Sequence, residues 1–129
     1  MEIKYTFKKE ERITKKKDIK LLFNDGQSFV VYPLYIVFIQ KYPLVNNEAC
    51  SVLINVSKKR FKHATDRNRI KRWMREAYRL NKKELVQSLE GKDFQLLVGF
   101  VYTGKKLYNY SFVELAMRQV LVELREKLT

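Results

Sequence analysis

The chain has 129 residues, 46% hydrophobic and 13% aromatic, with a formal charge of +13. Such a length and composition suit one folded domain with its own core and argue against disorder. No apolar run is long enough to cross a bilayer, the N-terminus lacks a signal-like stretch, and a single cysteine excludes an internal disulfide, so a cytoplasmic protein is expected.

The first 13 residues are a basic segment, expected to be partly flexible. Thr14 is placed as a helix N-cap, and Ile19, Leu22 and Phe23 recur at helical spacing before Gly26. This predicts a short helix over 17–25 with a basic start at Lys15, Lys16 and Lys17. Residues 27–31 and 34–41 are rich in β formers and are broken by Pro33, giving two strands with a bend between them. Pro43, Asn46 and Asn47 mark a turn over 42–48. Residues 49–56 alternate Val52, Ile54 and Val56 against Ser51, Leu53 and Asn55, a third strand in which Cys50 reads as a buried, inert thiol. A basic helix begins near 64–66, and a softer, partly helical stretch over 82–90 closes at Gly91. Residues 94–102 are nearly continuous in apolar side chains and read as a central strand. After a loop over 103–109, residues 110–128 form an amphipathic helix with Val113, Met117, Val120, Leu121 and Leu124 on one stripe. The order α-β-β-β-α-β-α describes an α+β fold, one sheet with helices packed on it, in a single domain over 1–129.

The charge is localised. Residues 57–83 hold twelve of the 27 Lys and Arg side chains against two acids, Asp66 and Glu76. Residues 1–20 add a net +4, and the remainder is close to neutral. A patch of this kind is the footprint of a polyanion-binding surface, for which a phosphate backbone is the commonest partner. At about 100° per residue, Arg67, Asn68, Lys71, Arg72, Arg75 and Arg79 share an arc of roughly 140°. Ile70, Trp73, Met74, Ala77 and Leu80 gather opposite, so one face packs on the sheet and the other presents charge. Like charges at i, i+4 and i+8 disfavour an isolated helix by a few tenths of a kcal/mol per pair, a cost that a bound polyanion reverses. Arginine predominates, and its planar fork suits phosphate and stacks on bases. Trp73, on the apolar side, is read as core.

No protein nuclease site assembles from these residues. His63 stands alone without metal-ligand or triad neighbours, the acids Asp25, Glu48, Asp93 and Glu114 are scattered, and the four glycines are far apart.

The run Ser57-Lys58-Lys59, then Ala64, then Arg67-Asn68-Arg69-Ile70-Lys71-Arg72 with Arg75 and Ala77-Tyr78, resembles the signature of the bacterial ribonuclease P protein component. The resemblance extends over nearly the whole chain in element order. It implies a four-stranded, ribosomal protein S5 domain 2-like fold with a left-handed β-α-β crossover, monomeric and paired one-to-one with a catalytic RNA. It further implies a subunit of an endoribonuclease that removes the 5′ leader of precursor tRNA. The RNA performs the hydrolysis, magnesium is held mainly by RNA and substrate, and the protein contributes no catalytic residue. By the same resemblance, Lys58, Lys59, Arg60, Arg67, Asn68, Arg69, Lys71, Arg72 and Arg75 would engage the RNA subunit. Lys15, Lys16, Lys17, Ile19, Phe23 and Phe38 would line a cleft for the single-stranded leader.

In that family the first helix usually offers two aromatics a turn apart. Here the matching positions are Ile19 and Phe23, leaving Phe38, Tyr35 or Phe29 to compensate from the strands. The alternative function is a ribosomal-type or chaperone RNA-binding protein without a role in tRNA cleavage. Membrane-surface binding is disfavoured, because the core requires the apolar face of the basic helix.

Overall fold

The computed structural model describes residues 7–45 and 47–128. Residues 1–6 of the basic N-terminal segment, Asn46 of the turn and Thr129 lie outside the described residues. A 3-10 turn at Lys9–Glu11 precedes α1 (Lys16–Asp25), β1 (Gln27–Val31), β2 (Leu34–Lys41) and β3 (Cys50–Val56). Then come α2 (Ala64–Asn81), the short α3 (Lys83–Ser88), β4 (Gln95–Tyr102) and α4 (Tyr110–Lys127).

The strands form one sheet in the order β1-β2-β4-β3. β1 and β2 are an antiparallel hairpin closed by Tyr32 and Pro33, whose peptide bond is cis. β4 pairs antiparallel with β2, from Leu34↔Tyr102 to Lys41↔Gln95, and parallel with β3, from Cys50↔Leu96 to Val56↔Tyr102. Its residues 95–100 are all buried, as the near-continuous apolar run predicts for a central strand. Parallel neighbours need a crossover, and α2 with α3 supplies it. Gly91, with φ 78°, turns the chain from α3 towards β4.

On one face of the sheet Leu34, Ile36, Phe38, Val52, Val56, Leu96, Val98 and Phe100 meet α2 and α4. The predicted α4 stripe is buried, and Asn109 caps that helix by accepting from the backbone N–H of Phe112 at 2.9 Å. In α2 the buried residues are Ile70, Met74, Ala77 and Tyr78. Leu80, expected on the packed face, is 42% exposed, and Trp73 is only half-buried. The inward direction is rotated by roughly 50° from the one periodicity suggests. Tyr78 causes the rotation. Its ring lies 5.7 Å from that of Phe7 and 5.6 Å from that of Phe100, and its hydroxyl donates to Cys50 Sγ at 3.5 Å. A tyrosine whose hydroxyl finds a partner buries more apolar area than a leucine.

The other face carries α1 over a smaller cluster of Ile13, Leu22, Val37 and Leu97. Thr14 does not cap α1. Ile13 is held to β3 by its N–H donating to Val52 O at 2.9 Å, so the chain leaves the strand at Thr14 and the helix is entered at Lys15, without a side-chain cap. Residues 9–13 thus run beside β3, which would otherwise be a bare edge. Glu11 of this strap meets Lys82 Nζ at 2.6 Å in a buried ion pair.

Candidate nucleic-acid interface

The rotation of α2 redistributes its basic residues. Asn68, Arg69 and Arg72 are exposed, while Arg67, Lys71, Arg75 and Arg79 lie half-buried on the flanks. Arg67 is turned inward, and its Nη1 donates to Phe61 O at 2.7 Å and Lys62 O at 2.9 Å, tying down the loop before α2. It is therefore a structural residue as well as a cation. Arg79 is spanned by Glu76, with Nη2 at 2.6 Å from Oε1. Among the described residues no acid pairs with Arg69, Arg72 or Arg75. Partial burial and the neighbouring Arg12 guanidinium pull Arg75 below its ordinary pKa, so an anion beside it would be favourable.

Lys58, Lys59 and Arg60 form the exposed turn after β3, where Ser57 Oγ accepts from Lys59 N at 3.2 Å. Because β3 and β4 are parallel, this turn sits beside the loop that leaves β4. Arg60 Nη1 donates to Thr103 O at 3.1 Å across the gap. Lys105 and Lys106, both exposed, join the basic group from that loop. Sequence reading passed over them. The signal would have been the strand direction, which no local pattern carries.

On the α1 face, Tyr35, Val37 and Ile39 of β2 stand beside Val101, Gly99 and Leu97 of β4. The helix covers the Ile39–Leu97 and Val37–Gly99 pairs. A Cβ on Gly99 would lie 2.9 Å from Val37 Cγ1 and 3.3 Å from Leu22 Cδ2, so the missing side chain lets α1 seat closely. Phe23, 45% exposed, ends the covered part. Beyond it Tyr35, Leu53, Asn55 and Val101 remain partly open, bounded by the Lys58–Arg60 turn. Ile19 is half-buried in the α1 cluster. Phe38 is a correction: it is 4% exposed on the opposite face, edge-on to Phe29 at 6.0 Å, and cannot line this cleft. The strand aromatic on the α1 side is Tyr35. Lys15, Lys16 and Lys17 are exposed at the far end of α1. Lys15 joins Lys9, Arg12 and Lys41 around a cavity of about 380 Å³, where Asp18 pairs with Lys41 at 2.8 Å.

Several other titratable groups have structural roles. Burial pushes the Cys50 thiol up to about 12. Glu114 accepts from Arg118 and Asn81, and Glu84 from Arg125. No group of three His, Cys, Asp or Glu among the described residues is arranged to hold a metal ion, and no described helix is long and apolar enough to cross a membrane.

The model of the Ribonuclease P family matches residues 7–124. The ribonuclease P protein component of Porphyromonas gingivalis is 38% identical over 119 residues, 90% of this chain and 84% of that protein. The one from Dictyoglomus turgidum is 32% identical over 123 residues, 95% and 92% of the two. Among solved structures, the Staphylococcus aureus RNase P protein aligns with a TM-score of 0.70 at 20% identity, over 88% of this chain and 94% of that one. The Thermotoga maritima protein gives 0.67 at 24% identity, over 88% and 96%, and these two likenesses carry the fold. A basic helix packed through its apolar side, a basic turn where two parallel strands end, and a family match across both make this chain a member of the ribonuclease P protein component family.

Proposed function

We propose that the exposed side of α2, with the Lys58–Arg60 turn, docks this subunit on the ribonuclease P RNA, while the open sheet beyond Phe23 takes the 5′ leader of precursor tRNA. The observation that carries the first part is the set Arg69, Arg72 and Arg75, three guanidinium groups on one helix with no acid partner among the described residues. The family match favours this over a ribosomal-type or chaperone role. The protein subunit positions and the RNA subunit hydrolyses. In this reading magnesium belongs with RNA and substrate. Cytoplasmic residence and a one-to-one complex complete the reading.

For the leader, Phe23 and Tyr35 are the aromatic surfaces, with Ile19 giving contact area in place of a ring. Base–aromatic stacking contributes about 1–3 kcal/mol per base. Leader phosphates meet Lys15, Lys16 and Lys17, while the Lys58–Arg60 turn stays with the RNA subunit.

The test is cleavage of precursor tRNA by the cognate RNA subunit at low magnesium, with and without protein. Protein should accelerate it, and identical rates would sink the proposal. Replacing Arg69 and Arg72 by Ala should lower the slope of log affinity for the RNA subunit against log salt by about 0.7–0.9 per lost contact. An unchanged slope would move the phosphate contacts elsewhere.

A further inference from the structure

Trp73 is the single tryptophan of the chain. It is half-buried rather than enclosed, with one side packed on the core. Its other side borders a cavity of about 390 Å³ with mainly apolar walls, shared with Arg72, Arg75, Glu76, Arg79, Phe7 and Tyr110. That size falls in the range of small-molecule sites, about 300–1,000 Å³. Tyr110 Oη is buried and has no hydrogen-bond partner among the described residues. Trp73 makes no ring contact among them either. On a helix, Arg69 lies one turn before Trp73 on the same side, and Arg72 is adjacent to it in sequence.

Among the described residues, an indole face without a stacking partner, an unsatisfied hydroxyl, and Arg69 and Arg72 without an acid describe a site for a flat, polar-edged group carried on a phosphate chain. An apolar peptide would leave the arginines without counter-charge. A bare phosphate would leave the aromatic wall unused. We propose that Trp73 and Tyr110 form a nucleobase pocket that receives one unstacked base of the ribonuclease P RNA subunit, with the flanking phosphates on Arg69 and Arg72. The inference rests on the docking role given to α2 and sharpens it from charge attraction to base insertion.

The sole tryptophan makes the test direct. Tryptophan-selective fluorescence of the full chain, titrated with the cognate RNA subunit, should show saturable quenching that precursor tRNA alone does not produce. Trp73→Leu should weaken RNA-subunit binding by about 5- to 150-fold, the range of one base–aromatic stack, with the salt slope unchanged. Trp73→Phe should recover most of that loss, and thermal melts of both variants show whether the fold is intact. Absent quenching, quenching by precursor tRNA but not by the RNA subunit, or undiminished binding by Trp73→Leu overturns the pocket. If the parent protein fails to bind the RNA subunit at all, the docking role itself falls.

Discussion

Lys82 and Glu11 sit 71 positions apart in sequence and 2.6 Å apart in space, with side chains only 4% and 11% exposed. Neither reads as buried in sequence. Lys82 falls in a lysine-rich stretch that suggests solvent, and nothing local tells Glu11 from its neighbours. Removing one partner strands the other as a buried charge, so Lys82→Met should lower unfolding free energy by about 3–5 kcal/mol. The double replacement Glu11→Leu with Lys82→Met should recover most of that, as urea denaturation would show. Cys50 gives a pH signature. Its thiol is raised from about 8.5 in an unfolded chain to about 12 by burial. Between those values the unfolded chain has released a proton that the folded one keeps. Stability from this site is thus full below about pH 8.5 and declines as pH rises, by up to about 1.4 kcal/mol per unit. Denaturation at about pH 8 and about pH 10 should show a smaller loss for Cys50→Ala than for the parent. An equal loss in both would remove Cys50 as the cause.

At the scale of elements, α1 depends on Gly99. A Val there would press on Val37 and Leu22 and lift the helix. Overpacking of this kind costs about 1–3 kcal/mol. Gly99→Val should also shrink the affinity difference between precursors with and without a 5′ leader, leaving RNA-subunit binding unchanged. All four strands and both long helices are legible in the sequence because punctuation and period are clear there: Pro33, Gly91, the 94–102 apolar run and the α4 stripe. Facing is legible only where one face is polar. In β2, Leu34, Ile36 and Phe38 are apolar, and so are Tyr35, Val37 and Ile39, so the strand carries no mark of which side α1 covers. By sequence alone Phe38 fits the cleft as well as Tyr35 does. The choice between Tyr78 and Leu80 in α2 rests on rings from Phe7 and Phe100, residues remote in sequence. The arginine motif is legible in composition, while the inward role of Arg67 depends on the carbonyls of Phe61 and Lys62.

For the whole molecule, a charge of +13 sets two salt effects of opposite sign. Self-repulsion burdens the free protein, and salt screens it as the Debye length falls from about 10 Å at 0.1 M to about 3 Å at 1 M. The melting temperature of the free protein should therefore rise with sodium chloride while its affinity for RNA falls. A melting temperature that drops over the same range would show that specific pairs such as Lys82–Glu11 outweigh net repulsion. The strand order β1-β2-β4-β3 has a consequence for synthesis. The hairpin of β1 with β2 and the lone strand β3 emerge from the ribosome with a gap between them, and the strand that fills it is the last of the four to be made. Until residue 102 is out, α2 has no sheet to lie on and its arginines hang on an unanchored peptide. A nascent chain cut short before that point presents basic sequence without the surface proposed for docking, so RNA would meet either the complete subunit or an unfolded polycation.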